Sequence, residues 1–491
     1  MHTVVVVGAD DLVDDVRIAL EAEGAQVTVV PDPTPQALEA ADTAHAHALL
    51  ALDESDSVNL AAALDARELN PSIRLVIRQF NRALAPKIEQ NLRDCSVLSL
   101  SSHSAATYAA AAIDPSCFLG LEFPSGSHSL VGFSRRGAGQ APGSGRAVGH
   151  SGDETVVFGT IAEIGAAAAP LARRRRGFRW VAARIAMIAN EFDPLVRVLI
   201  LAGAAVFVAA TCFFAYALKL NPFTAAYFVT TTMTTTGYGD IGLADKALYL
   251  QGVDMLLMVS GVLVANLAMA FIAAALVRAQ YTGLQGLRPI RDEGHVVVFG
   301  AGRVGTRVVD LLCELGALVT VVELQPQSHL LRKARSRHIN LLTGDGAHDQ
   351  TLDFSNVRSA RCAVVLTDAD MTNLEIGLGA RARDPEIPLI MRIAEPRLAT
   401  AIREQFGIRR TFSATALASS AFADLAFSAT ARGRVSFAGT AYRLDETSAE
   451  SADRTATPLA VSRPGHESVT VARWDDVRPG DVVLTMREVA R

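Results

Sequence analysis

The sequence predicts a multidomain chain: an α-helical two-span membrane module set between two α/β modules, each followed by a small β-rich lobe. Three observations carry this. Two long apolar segments, residues 195–218 and about 248–277, stand near the middle. After them comes a run of strand-forming residues with a glycine-rich turn, His295-Val296-Val297-Val298-Phe299-Gly300-Ala301-Gly302-Arg303-Val304-Gly305. The order of signals in that second half also recurs, in weaker form, in the first 165 residues.

At 491 residues the chain has room for about three domains. Half of it is hydrophobic and a fifth is charged, a profile that fits large soluble domains plus a small membrane part. The net charge of −5 argues against a nucleic-acid partner, because phosphates repel an acidic surface. The five cysteines, Cys95, Cys117, Cys212, Cys313 and Cys362, show no CxxC spacing and read as buried free thiols. The start, with Val4-Val5-Val6-Val7, reads as a buried strand rather than a secretory leader, so the chain is expected to begin in the cytosol.

Each apolar segment is long enough to cross a hydrocarbon core of about 30 Å at about 1.5 Å per residue. Basic residues set the expected orientation. Arg173-Arg174-Arg175-Arg176, Arg179 and Arg184 precede the first span, and Arg278, Arg288 and Arg291 follow the second. Only Lys219 and Lys246 lie between the spans, so a multi-pass cell-membrane protein with both termini cytoplasmic is expected. Residues 178–192 have helical spacing and read as an interfacial or linker helix.

Between the spans, Asn221-Pro222 is a helix start, and about three turns then fit before the glycines. That segment is too short to cross a membrane and should dip in and return. The residues that follow, Thr235, Thr236, Gly237, Tyr238 and Gly239, then Asp240, suit a cage of backbone carbonyls around a dehydrated cation. Successive carbonyls face one side only if alternate residues leave the ordinary backbone regions, and Gly237 and Gly239 do so without steric cost. Thr235 can add a hydroxyl, Tyr238 can brace the loop from behind, and Asp240 puts charge at the outer mouth.

With those residues the chain resembles the potassium-channel pore family, over about residues 195–278. The match holds at Thr235, Gly237, Tyr238, Gly239 and Asp240, and departs at Thr236, where the family has Val. The resemblance implies K+ as permeant ion, residues 235–239 as selectivity filter, a homotetramer with lipid around it, and Gly261 as a gating hinge. A small residue for close helix packing is the other reading of Gly261.

The second half reads strand, GxGxxG, helix, then a strand Leu318-Val319-Thr320-Val321-Val322 ending in the acid Glu323. Such glycines bring backbone amides close to a pyrophosphate at a helix N-terminus, and the acid can accept from ribose hydroxyls. Thr343-Gly344-Asp345 follows a third strand, and later strands end near Asp368 and Arg392. This Rossmann-like pattern resembles the RCK family, regulators of potassium conductance also described as TrkA-N and TrkA-C domains, over about residues 294–491. The resemblance implies a nucleotide ligand, NAD(H) or ADP/ATP, with calcium as another possible ligand. It also implies a site at Gly300, Gly302, Arg303, Val304, Gly305, Glu323, Gly344 and Asp345.

The repeat aligns Asp56-Ser57-Val58-Asn59-Leu60 with Asp370-Met371-Thr372-Asn373-Leu374, Leu75-Val76-Ile77-Arg78 with Leu389-Ile390-Met391-Arg392, and Ser99 with Ser413. The first copy has lost its chemistry, with Asp10 and Val13 where the second has Gly302 and Gly305. A carboxylate at Asp10 would repel a pyrophosphate, so the first copy reads as structural. Ser134 to Gly152, rich in Gly, Ser and Arg, reads as a mobile loop, and His45 with His47 as too few ligands for a metal.

The expected divisions are 1–115 and 116–165 for the degenerate first RCK-like lobe and its small lobe, and 166–194 for a basic linker. The pore module is expected at 195–278, the second Rossmann lobe at 294–410, and a helix with its small lobe at 411–491. The expected function is a ligand-gated potassium-selective channel subunit and not an enzyme. A potassium transporter component and a membrane-tethered NAD-dependent oxidoreductase are the alternatives.

Overall fold

The structure is a computed structural model and describes residues 2–81, 84–124, 129–137, 145–162, 194–284, 289–337, 339–466 and 469–489. The basic linker and the helix expected at 178–192 lie outside the described residues. The chain forms two compact units, one of Met1–Ala172 with Gly286–Arg491 and one of Arg173–Gln285.

The first module alternates strand and helix: β1 (Thr3–Val7), α1 (Asp11–Ala22), β2 (Gln26–Val30), α2 (Pro35–Ala40), β3 (Ala48–Ala51), α3 (Asp56–Leu69), β4 (Arg74–Arg78), α4 (Ala85–Asn91), β5 (Cys95–Leu98) and α5 (Leu100–Ile113). Val4, Val5, Val6 and Val7 are all fully buried, as a central strand covered on both faces requires. The sheet is parallel, in the order β2-β1-β3-β4-β5. A four-stranded antiparallel lobe follows, β6 (Cys117–Glu122), β7 (Leu130–Arg136), β8 (Arg146–Ser151) and β9 (Glu154–Thr160). Among its described residues, the segment expected to be a mobile loop is therefore mostly strand. Composition misleads there because Gly149 is packed against the Phe437 ring, and Arg146 donates to the carbonyls of Pro458 and Ala472 at 2.8 and 2.9 Å.

The middle unit has α6 (Pro194–Ala217), the short α7 (Pro222–Met233) and α8 (Leu248–Leu284). Among the described residues α8 is long and apolar enough over Leu248–Leu267 to cross a membrane, with a mean hydropathy of 1.8, and α6 holds a shorter apolar run, Leu201–Ala217. The second span was expected to end near residue 277, but the helix continues to Leu284. Phe214, Phe228, Val229 and Leu257 form the buried centre of this unit. Cys212 is exposed, against the expectation of buried thiols, while Cys117 and Cys362 are buried.

The second module repeats the first with one strand more: β10 (Val296–Phe299), α9 (Arg303–Glu314), β11 (Val319–Glu323), α10 (Ser328–Arg337), β12 (Asn340–Thr343), α11 (Asp349–Phe354), β13 (Cys362–Val365), α12 (Asp370–Arg383), β14 (Leu389–Arg392), α13 (Pro396–Phe406), β15 (Arg410–Phe412) and α14 (Ala414–Leu425). Its parallel sheet runs β12-β11-β10-β13-β14-β15. The first module lacks a counterpart of β12, which is why the stretch before Leu49 is short. The second small lobe is antiparallel, β16 (Ala431–Phe437), β17 (Thr440–Ser448), β18 (Thr457–Ser462), β19 (Thr470–Val471) and β20 (Val482–Glu488).

The last helix of each α/β lobe packs on the other lobe. The alanine-rich α5 places Ala105, Ala109 and Ala112 in one core with Val304, Val308 and Leu312 of α9. In return α14 places Ala418 and Phe422 against Leu12, Val16 and Leu20 of α1. The small lobes also share a core, with Phe133 and Phe158 beside Val435 and Leu484. This exchange makes one body of two sequence-distant modules and brings first-module residues to the glycine turn of the second.

Candidate functional site

The loop between α7 and α8 begins from a well-defined helix. Asn221 caps α7, its Oδ1 accepting from the Thr224 amide at 2.7 Å, and Pro222 occupies the first turn. At the other end the Thr231 carbonyl accepts from the amides of both Thr236 and Gly237, at 2.9 and 3.2 Å. These bonds satisfy carbonyls that a helix end leaves open and fold the loop back on its helix. Within it Thr235, Gly237 and Gly239 have φ of +59°, +48° and +72°. The two glycines adopt such values freely, but a β-branched residue does not, so Thr235 is held there against its own preference. Thr234 and Thr236 share a hydroxyl hydrogen bond of 2.8 Å. The Tyr238 ring stacks on Tyr227 of α7, with centroids 6.5 Å apart and planes 2° from parallel.

Gly261 sits in the middle of α8, which runs through it as unbroken helix. A Cβ there would lie 2.4 Å from the Met233 carbonyl oxygen and 2.6 Å from the Met233 Cα. The end of α7 is thus seated on Gly261.

In the second module the three glycines have three different tasks. Gly300 turns the chain at φ +86°, with the Thr367 amide 2.9 Å from where a Cβ would stand. Gly302 has ordinary backbone (φ −63°) and caps α9 without a side chain, and no atom lies within 4 Å of its Cβ position. Gly305 lets α9 lie on the turn, since a Cβ would come 2.0 Å from the Gly300 carbonyl oxygen. This is the division of labour that a phosphate-binding turn requires: a sharp bend, an open approach and close helix packing. Glu323, at the end of β11, accepts from the Ala301 amide at 2.6 Å and from the Gln325 amide at 3.2 Å, so its carboxylate is fixed beside the turn.

A cavity of about 630 Å³ opens over this turn and brings together Gly300, Gly302, Arg303, Val304, Glu323, Gly344 and Asp345. Of the expected residues Gly305 alone is off its wall, lying beneath the turn. Among the lining residues beyond the glycine pattern are the polar Thr367, Asp368 and Arg392. The first module completes the wall with Glu54, Arg78, Phe80, Leu100 and Ser101. The Arg303 guanidinium lies 3.7 Å from the centre of the Phe80 ring, a cation–π contact joining the modules at the mouth of the site. The repeat held a signal for Arg392, because its partner in the alignment is Arg78 at the end of β4. The wall from the first module has no such signal, since it exists only through the helix exchange.

The first module has the same turn with its anion site closed. Gly8 bends at φ +123°, and Asp10 then caps α1, accepting from the Val13 amide at 3.3 Å. The other Asp10 oxygen pairs with Arg78, whose side chain is 4% exposed. His45 lies in a short 3-10 turn and His47 against Phe427 and His2, not on one strand face.

A turn shaped for phosphate on an α/β body, and a loop folded back on its short helix between two apolar helices, define the class: dinucleotide-type modules joined to an apolar helical unit. Comparison with known families agrees and makes it specific. The TrkA-N domain matches residues 2–96 and again 296–414, and the ion channel family matches residues 198–278. The chain therefore carries an ion-channel domain between two TrkA-N domains, and its relatives include potassium channels. The voltage-gated potassium channel Kch of Escherichia coli is 23% identical over 178 residues, covering 35% of this chain and 42% of that one. An uncharacterized protein of Methanothermus fervidus is 27% identical over 189 residues, covering 37% of this chain and 29% of its own. The chain thus spans less than half the length of these two relatives. A solved GsuK channel bound to NAD aligns with 99% of this chain and 76% of its own, at 11% identity and a TM-score of 0.49.

Proposed function

We propose that the chain is one subunit of a homotetrameric, potassium-selective channel, gated by a nucleotide held at the glycine turn of its second module. The observation that carries this reading is the alternation of left-handed backbone at Thr235, Gly237 and Gly239 in a loop set between two apolar helices. Alternation of that kind turns successive carbonyls to one side, where they replace the water shell of a dehydrated K+. The end of α7 also directs its partly negative C-terminus toward the same place. Thr236 retains the β-branch and the carbonyl that a filter needs.

One loop supplies one strand of such a cage, and a symmetric filter needs four. Residues 234–240 are exposed in the single chain, and open space lies beside Gly237 and Gly239. Three further copies close the ring on that face. Lipid surrounds α6 and α8, and the arginines flanking the spans keep both termini on the cytoplasmic side. The domain limits proposed are those read from the sequence. Gly261 serves here as the seat of α7 on α8, and bending of α8 about it gates the pore.

The proposed ligand is an adenine nucleotide, NAD(H) or ADP/ATP. The open Gly302, the helix N-terminus behind it and Glu323 fit a pyrophosphate and a ribose. Calcium is set aside in favour of the nucleotide because, among the described residues, no three His, Cys, Asp or Glu come together to hold a metal ion. The ligand is regulatory and the chain performs no catalysis. A ligand shifts gating only by binding the open and closed forms differently. Potassium flux from liposomes holding the full protein tests the reading, with and without Gly237→Ala and across a panel of nucleotides. Selective flux lost in Gly237→Ala and changed by a nucleotide is expected. Flux that does not distinguish K+ from Na+, or that Gly237→Ala leaves intact, refutes the filter.

A further inference from the structure

The two α/β modules share their hydrogen bonding at one end of the sheet almost bond for bond. In the first, the Asn59 Oδ1 accepts from the Asp53 amide at 2.7 Å, and its Nδ2 donates to the carbonyls of Asp53 and Arg78 at 2.8 and 2.9 Å. In the second, the Asn373 Oδ1 accepts from the Thr367 amide at 3.0 Å, and its Nδ2 donates to the carbonyls of Thr367 and Arg392 at 3.1 and 2.8 Å. Asp56 accepts from the Phe80 amide at 2.9 Å, as Asp370 does from the Ala394 amide at 2.9 Å. Arg78 and Arg392 are therefore equivalent, each the last residue of its strand. The same register makes Gly8 equivalent to Gly300, and Asp10 to Gly302, each the cap of the helix after the turn.

What differs is what those arginines meet. Arg78 pairs with the Asp10 carboxylate, and that carboxylate accepts from an amide at the N-terminus of α1. It occupies the place where a helix favours an anion. In the second module Gly302 brings no carboxylate, and the space there is open. Of the arginines lining the cavity, Arg78 is thus paired with Asp10 and Arg303 lies over Phe80. The Arg392 guanidinium has no hydrogen-bond or ion-pair partner among the described residues. The remaining charged groups on the wall, Glu54, Glu323, Asp345 and Asp368, are acidic and would repel a phosphate.

We infer that Arg392 binds a phosphate of the nucleotide in the second module, and that Asp10 is the chain's own substitute for that phosphate in the first. The first module is then permanently self-ligated, and the second takes its anion from solution. The inference rests on the nucleotide reading of the cavity and adds the residue that recognises charge. It also explains why an arginine persists at the end of β4 in a module that has lost its open turn: it holds the internal carboxylate.

The test uses the full chain in detergent, with ADP and adenosine as probes in calorimetric titration. Arg392→Gln is expected to weaken ADP about tenfold to a hundredfold, the range for losing a charge-assisted hydrogen bond, and to leave adenosine unchanged. ADP binding at the wild-type level, or ADP and adenosine weakened alike, overturns the inference while leaving the nucleotide reading intact. A second arm needs no nucleotide. Gly302→Asp fits the ordinary backbone and open space at that position, and is expected to recreate the internal pair. It should raise the melting temperature, and Arg392→Gln in the same chain should remove that rise. A melting temperature indifferent to Arg392 shows that the guanidinium does not reach the helix end, and sinks the inference. Should the wild-type chain bind neither probe, the nucleotide reading itself falls and the phosphate assignment with it, and the second arm still decides the equivalence of Arg392 and Arg78.

Discussion

Gly261 of α8 faces the backbone of Met233 so closely that a Cβ there would stand 2.4 Å from the Met233 carbonyl oxygen. The obstacle is main chain, so no rotamer change relieves it. Gly261→Ala is therefore expected to push the end of α7 away from α8, costing about 1–3 kcal/mol as an overpacked contact. The proposed filter begins two residues beyond Met233, so potassium flux should fall together with the melting temperature of the detergent-solubilised protein. Met233→Ala should not rescue it, because the side chain is not what clashes. A variant with altered gating but unchanged thermal stability would assign Gly261 to bending alone.

The glycine turn of the second module gives a sharper comparison. Gly302→Ala meets no atom within 4 Å, whereas Gly305→Ala meets the Gly300 carbonyl at 2.0 Å. The first should leave stability within about 0.5 kcal/mol of wild type. It should still weaken nucleotide binding, because a methyl group then stands where backbone amides must approach phosphate. The second should cost about 1–3 kcal/mol and weaken binding as well. Thermal melts and ADP titrations of both proteins separate the two roles, and equal destabilisation by the two would contradict them.

These sites differ in how far the sequence alone discloses them. The turn at Gly300, Gly302 and Gly305 is legible because each glycine answers a local steric demand, and the acid Glu323 follows at the spacing the fold imposes. The left-handed backbone at Gly237 and Gly239 is legible for the same reason. That at Thr235 is not, because nothing in a threonine announces φ of +59°. Nothing in the alanine-rich sequence of α5 announces that it lies on the other module. Without that exchange, Phe80 and Ser101 have no reason to stand at the second module's cavity. The strand β8 is hidden by its own Gly149, whose close packing on Phe437 comes from a lobe more than 280 residues away.

Arg307 on α9, the helix after the glycine turn, reaches Glu122 of the first small lobe with two hydrogen bonds, 3.0 and 2.6 Å, and both side chains are nearly buried, at 11% and 8% exposed. Breaking such a pair from one side removes a guanidinium from a carboxylate that water cannot resolvate, at about 3–5 kcal/mol. Arg307→Met should show that loss in a thermal melt. Joining it with Glu122→Leu should recover part of it, because the carboxylate facing the missing guanidinium is then gone as well. If the pair also carries the ligand signal between modules, the double variant is stable yet its potassium flux ignores nucleotide. Retained nucleotide dependence would limit the pair to holding the modules together.

His103 on α5 lines a small cavity of about 240 Å³ with Ser99, Ser102 and Arg432. Burial first, and the Arg432 charge second, push its pKa down to about 4. In the unfolded chain it takes up a proton as pH falls through about 6.5. Between those values the unfolded state binds the extra proton, so stability present above pH 6.5 is lost as pH falls towards 4. The loss is about 2–3 kcal/mol, reduced because part of the ring faces the cavity. His47 and His295 are also lowered by burial and act in the same direction. Melting temperature measured from pH 8 to pH 5 should therefore drop more steeply for the wild type than for His103→Gln, whatever the absolute cost of that substitution. Parallel curves would mean that the imidazole takes up its proton alike in the folded and unfolded chain, and that the Arg432 charge and burial do not keep it neutral.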